Sequence, residues 1–248
     1  MKNIKEWQPS KYDIVEGKIL PTKNVKELHI ASRFVVSLSA KFYSEKIPQY
    51  AKGSLLDLGC GKVPLYGFYK DYVNEVTCVD WDNTTHTNLH IDFCCDLNGK
   101  LEFAQDNTFD TIILSSVLEH IREPEMLVSE MNRILKKNGI ILFNVPFFYW
   151  LHETPYDYFR YTEYALKLMF EKNNFEILEL EATGGGIDVI TDIMAKMLVI
   201  NNSCFRKKIS VFLQNLSLSF GKTKYGKRLR KRTERLFPVG YFSVLRKK

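Results

Sequence analysis

A doubly wound α/β fold, built on one mostly parallel sheet, is predicted by three features of the sequence. Strand-like and helix-like segments alternate from about residue 50 onward. The apolar runs of the strand-like segments are continuous rather than alternating, as they are where helices cover both faces of a sheet. The first of them, SLLDLGCG at residues 54–61, runs straight into a glycine turn.

The elements follow in chain order. Residues 25–47 carry apolar side chains at helical spacing and predict an amphipathic helix that stops before Pro48. Strands are expected at 54–59, 75–80, 88–93, 109–116 and 139–146, with helical stretches near 64–73 and 122–136. Two later strands, 175–183 and 240–247, bring the sheet to seven. The aliphatic stretches 186–200 and 210–220 and a basic run at 222–235 separate them. The organisation expected is one domain: an N-terminal helical cap (1–50), a ligand-binding core (51–183), a helical and basic insertion (184–236) and a final strand (237–248).

Composition bounds the function. A chain of 248 residues with 45% hydrophobic and 26% charged residues is globular. Its five cysteines show no C-x-x-C spacing, so they read as reduced core residues; neither a disulfide framework nor a metal site is expected. No signal peptide and no membrane-spanning run is evident, which points to the cytoplasm. The net charge of +6 is unevenly spread: 14 of the 35 basic residues lie between Arg206 and Lys248 beside a single acid, Glu234. That tail reads either as a solvated face or as a contact for an anionic partner such as the inner membrane surface.

A strand, a glycine turn and a helix bring backbone up to a nucleotide-like ligand at the carboxyl edge of a doubly wound sheet. A dinucleotide cradle would want a third glycine where Pro64 stands. Asp57, two residues before Gly59, would repel a phosphate yet suits a cationic amino group. Asp80, at the tip of the next strand, is placed for ribose hydroxyls.

Together, LLDLGCG, CVDWD, FDTIILSSVLEHI and LKKNGIILFNVP resemble the class I S-adenosylmethionine-dependent methyltransferases, over roughly residues 50–183. The resemblance implies a Rossmann-like seven-stranded sheet and S-adenosylmethionine as cofactor, with S-adenosylhomocysteine as product. It implies Asp57, Gly59 and Gly61 at the methionine part, Asp80 at the ribose, Asp96 and Leu97 at the adenine, and Ser115 beside the cofactor. Val63 departs from the commonest family pattern, but GCGKVPLY is similar to a variant in bacterial members linked to surface-polysaccharide pathways. The segment NVPF (144–147) mimics a motif of base-amine methyltransferases but has one proline too few and follows the wrong strand.

Residues 146–162, PFFYWLHETPYDYFRYT, are expected to roof an acceptor cavity, because a loop seldom carries so many aromatic residues without something to cover. The pattern His-x-x-Pro-x-Asp-x-x-Arg-Tyr-Thr again resembles the polysaccharide-associated members. Methyl transfer to a hydroxyl needs alignment and a proton acceptor, a task that suits histidine. His152 is the first choice as base and His120 the second, although His120 also reads as a loop-fixing residue and His152 as a brace on Asp157. Tyr156, Asp157, Arg160 and Tyr161 are expected on the acceptor side, with Arg160 either clamping an anionic acceptor or pairing with Glu153 or Asp157. His29, His86 and His90 are taken as structural. The expected function is methylation of a small polar acceptor: a hydroxyl of a sugar, a nucleotide-activated sugar or a phosphoryl-bearing precursor of a bacterial surface glycan. The rival readings are an RNA methyltransferase using the basic tail, although no RNA-binding module accompanies it, and a non-catalytic cofactor-binding scaffold.

Overall fold

The computed structural model describes residues 1–82, 89–200 and 203–248. In chain order its elements are the hairpin β1 (Tyr12–Val15) and β2 (Lys18–Pro21), α1 (Arg33–Tyr50), β3 (Ser54–Leu58), α2 (Tyr66–Tyr69), β4 (Glu75–Asp80), β5 (Phe93–Cys94) and β6 (Phe109–Ser115). There follow α3 (Pro124–Ile134), β7 (Leu135–Pro146), α4 (Glu163–Lys172), β8 (Phe175–Thr183), α5 (Gly186–Val199), α6 (Cys204–Lys222), α7 (Lys224–Thr233) and β9 (Gly240–Lys247).

Seven strands form one sheet in the order β5-β4-β3-β6-β7-β9-β8. The first five are parallel, and β9 runs antiparallel between β7 and β8. This is the mostly parallel Rossmann-like sheet that the sequence predicts. The chain moves outward from β3 in one direction through β4 and in the other through β6, so the crevice at their carboxyl ends is where a doubly wound sheet binds ligands.

Neighbouring residues of one strand feed opposite cores, which explains the unbroken apolar runs. Leu56, Ile112, Ile141 and Phe143 pack under α3 and α4; Leu55, Ile113, Leu142 and Val244 pack under α1 and α2. Phe42 of α1 stacks on Phe242 of β9 at 4.4 Å, fixing the N-terminal helix to the sheet.

Four expectations are corrected. The first helix begins at Arg33, not at residue 25, because Asn24 and His29 use their side chains to cap the amides of Lys26 and Ala31 and hold 22–32 in turns. It then runs through Pro48, which lies on the solvent side of the last turn, where the carbonyl left without a donor meets water. The N-terminal cap holds a hairpin as well as a helix, its strands too short and too exposed to show an apolar pattern. The strand expected at 88–93 reduces to Phe93–Cys94, because Asp92 meets the Cys78 amide with its carboxylate instead of a backbone carbonyl; residue 88 of that expectation lies outside the described residues. The cysteines divide: Cys60 and Cys78 are buried, whereas Cys94 and Cys204 are exposed at the sheet edge and the start of α6.

Candidate functional site

A cavity of about 630 Å³ opens at the carboxyl edge of the sheet, over the β3/β6 crevice. Asp57, Gly59, Gly61, Asp80, Asp96, Leu97 and Ser115 line one side, and His120, His152 and Tyr156 the other.

The glycine turn is built differently from its sequence rationale. A Cβ on Gly59 would lie 2.4 Å from Val117 Cγ2, and its φ is +74°, so packing and conformation exclude a side chain there. Gly61 faces open space and is required by its φ of +52°. Val63 keeps the same left-handed backbone at φ +52° although it carries a branched side chain, a strain of order 1–3 kcal/mol that the surrounding packing holds. The turn's amides are spent within the protein: Gly59 and Cys60 donate to the Val79 carbonyl, and Gly61 donates to Asp80 Oδ2 at 2.7 Å. A loop so occupied offers little to a phosphate.

Asp57 is 3% exposed and accepts the Tyr69 hydroxyl at 2.9 Å. Burial pushes its pKa up to about 7; the Tyr69 hydrogen bond opposes this and the Asp80 charge adds to it. A buried carboxyl on the cavity wall, costly to ionise alone, fits a ligand that brings a positive charge. Asp80 also takes the Trp81 amide on Oδ1 at 2.9 Å, so the carboxylate at the tip of β4 braces the loop while lining the cavity. Leu97 and Ile121 supply apolar wall, and the exposed Asp96 turns its carboxylate onto Asn98. These residues suit a nucleoside carrying an ammonium group. Ser115 gives its hydroxyl to Asn144 Oδ1 at 2.9 Å, and Tyr43 reaches the same oxygen at 2.7 Å. The asparagine of NVPF is therefore absorbed in a buried network.

The aromatic segment arches over this edge and is tied to the turn Leu118–His120. Tyr158 and Phe159 donate their amides to the Glu119 carbonyl, the Tyr161 hydroxyl donates to the Leu118 carbonyl at 3.1 Å, and His120 Nδ1 lies 2.9 Å from the Tyr156 carbonyl. Trp81 meets the Tyr156 ring edge-on at 4.9 Å. Asp157 is locked by the Arg160 fork at 2.6 and 2.7 Å and by the His152 amide at 2.9 Å. Its burial alone would raise its pKa, but the Arg160 and His152 contacts hold it at about 2. Asp157, Arg160 and Tyr161, expected on the acceptor side, are absent from the cavity wall: the first two brace the roof and Tyr161 sits in the core. Arg160 also donates to the carbonyls of Trp150 and Phe159, so its fork is fully committed.

His120 and His152 come together, with ring centroids 4.7 Å apart. Between them stands a residue that sequence reasoning missed. Glu119 has no exposed surface, neither of its carboxylate oxygens has a hydrogen-bond partner, and its Oε1 is 3.7 Å from Nε2 of both imidazoles. The signal was present in LEHI, where an acid adjoins the second-choice histidine. Lys11, also on the cavity wall, has its ammonium pushed down in pKa by burial, against the pull of Glu119 and Glu153. Of the histidines taken as structural, His29 caps a turn, His90 contacts the Lys2 carbonyl and His86 lies outside the described residues.

Residues 56–143 match the methyltransferase domain family. No curated protein matches the chain. Among solved structures, an S-adenosylmethionine-dependent methyltransferase from Mesorhizobium loti is similar at a TM-score of 0.55 and 11% identity, covering 86% of this chain and 100% of its own. One from Archaeoglobus fulgidus gives 0.54 and 15%, covering 87% and 97%. The [4+2]-cyclase SpnF gives 0.53 and 17%, covering 85% and 82%. At these identities the structural likeness establishes the fold. The match over residues 56–143 is to a methyltransferase domain and supports a methyltransferase enzyme with S-adenosylmethionine as cofactor.

Proposed function

We propose that this protein transfers a methyl group from S-adenosylmethionine to a hydroxyl of a small polar acceptor, in the class of sugars, nucleotide-activated sugars and phosphoryl-bearing precursors of a bacterial surface glycan. The observation that carries the reading is the two-sided cavity, with carboxylates along the cofactor side and a histidine pair beneath an aromatic roof on the other.

Asp57 would take the ammonium group of the cofactor, Asp80 the ribose hydroxyls, and Leu97 with Ile121 the adenine faces. The cofactor supplies a methyl group on a sulfonium, whose departure as a neutral thioether needs no acid. What remains for the chain is to exclude water, orient the acceptor and hold its proton. His152 lines the cavity with Nε2 3.7 Å from Glu119 Oε1, where an imidazole can take the proton of a bound hydroxyl. The aromatic roof suits the apolar faces of a sugar ring. His152→Ala is expected to leave S-adenosylhomocysteine binding intact and to lower turnover by about 100-fold or more; undiminished activity from pH 6 to 9 would remove His152 from the reaction.

The chain's outer surface supports a second element of this reading, peripheral contact with an anionic membrane on which a lipid-linked acceptor would reside. Ile190, Ile193, Met194 and Met197 form an exposed stripe along α5, and Phe205, Phe212 and Leu216 form another along α6. The basic residues of 206–235 flank them. Among the described residues, no helix is long and apolar enough to cross a membrane.

A further inference from the structure

We infer that Glu119, His120 and His152 form a binding site for one divalent transition-metal ion at the acceptor end of the cavity. Their ligand atoms all lie within 4.8 Å of one another, and Glu119 Oε1 stands 3.7 Å from both Nε2 atoms. Metal–ligand bonds of about 2.0–2.2 Å place adjacent donors about 3.0–3.4 Å apart, so an ion would draw Glu119 in by a few tenths of an ångström and close the remaining spread of the donors, now within 4.8 Å, around itself.

Three independent features point the same way. The Glu119 carboxylate is completely buried with no hydrogen bond on either oxygen, a state that is expensive without a compensating charge. The Tyr156 carbonyl lies 2.9 Å from His120 Nδ1 and holds a proton there, leaving the Nε2 lone pair directed at the cluster. Asp157 faces His152 Nδ1 at 3.2 Å, off the line of a good hydrogen bond, and biases that ring in the same sense. A carbonyl or carboxylate behind each imidazole is the outer arrangement that orients metal-binding histidines. Three electron-pair donors thus converge on one point. Lys11, the nearby cation, forms no ion pair with Glu119 within 4.0 Å among the described contacts.

Two imidazoles and one carboxylate select a borderline ion such as Zn²⁺, Mn²⁺, Fe²⁺ or Co²⁺ over Mg²⁺ or Ca²⁺, which prefer all-oxygen sites. Three protein ligands on one side leave positions open toward the cavity. Resting on the methyltransferase reading, the ion would hold an acceptor with two adjacent oxygens. It would lower the pKa of a bound hydroxyl, as it lowers that of bound water toward neutrality, so that the proton leaves to solvent. His152 would then act through the ion and not as a free base.

The test is calorimetric and spectroscopic titration of the chelator-treated full chain with Co²⁺ alone, beside a titration with S-adenosylhomocysteine. The expected result is one tight site with visible ligand-field absorption, weakened at least about 10-fold in Glu119→Gln and in His120→Gln. Should one variant fail to fold by circular dichroism, the other carries the same readout. Absence of Co²⁺ binding, or binding unchanged in a folded variant, overturns the inference. If S-adenosylhomocysteine still binds in that case, the methyltransferase reading stands without the metal; if Co²⁺ binds and S-adenosylhomocysteine does not, the reverse holds.

Discussion

The hydroxyl of Tyr69 lies 2.9 Å from Asp57 Oδ2 at the floor of the cavity, as the single hydrogen bond described for a carboxyl held at about pKa 7. The ionised carboxylate is the form that pairs with an ammonium group, and it becomes dominant as pH rises. Cofactor affinity is therefore expected to increase with pH up to about 7 and then level off. In Tyr69→Phe the bond that favours ionisation is gone, and the midpoint should move to higher pH by up to about one unit. Calorimetry with S-adenosylhomocysteine from pH 5 to 9 measures both; a flat profile in the wild-type chain would show that Asp57 does not meet the ligand's charge.

Asp80 serves the loop and the ligand together. Asp80→Ala strips the Gly61 amide of its acceptor and removes the carboxylate from the ribose position. Two charge-assisted hydrogen bonds at about 1.5–3 kcal/mol each correspond to a loss of at least about 100-fold in affinity. Equilibrium binding by a folded variant within tenfold of wild type would contradict the assignment.

The roof brace predicts an acid limit. Asp157 is held at about 2, below its ordinary 3.8, so its pairing with Arg160 stabilises the fold above about pH 4 and is lost as pH falls through about 2. The difference corresponds to about 2 kcal/mol. Asp157→Asn should lower stability to urea at pH 7 by roughly that amount while changing it little near pH 2. Arg160→Lys, which cannot reproduce the fork, is expected to cut turnover about 10- to 100-fold with cofactor binding kept.

The basic tail can be tested without knowing the acceptor. Arg228, Arg232 and Arg235 are exposed at helical spacing, whereas Arg230 is committed to Asp188 at 2.7 Å and is not a contact residue. At about 1 kcal/mol per charge, changing the first three to Glu should weaken sedimentation with phosphatidylserine-containing vesicles at least about 100-fold. Vesicle binding that is absent in the wild-type chain, or equal in the variant, removes the membrane from the reading.

How far the sequence carried depended on whether a residue's role was local. The strands 54–58, 109–115 and 240–247 were legible because burial leaves a mostly apolar record in each, whereas 175–183, an edge strand, shows as apolar residues alternating with glutamates. The hairpin at 12–21 left none, since its side chains are largely solvated. On the site, Asp57 and Asp80 stood out by their distance from the glycine turn. Glu119 could not, because its meaning lies in His152, thirty-three residues away in sequence and 3.7 Å away in space. Arg160 left two readings open in the sequence, an anion clamp or a pairing within its own loop, and the structure has it on Asp157.

The ties from residues 156–161 to Leu118, Glu119 and His120 have a consequence for redesign. Each side supplies what the other lacks: amides and a hydroxyl from the aromatic segment, carbonyls and an imidazole from the short turn. Grafting the aromatic segment alone onto another scaffold would transplant half of a lock-and-bolt assembly. Any exchange of acceptor preference by loop swapping has to carry both pieces as one cassette.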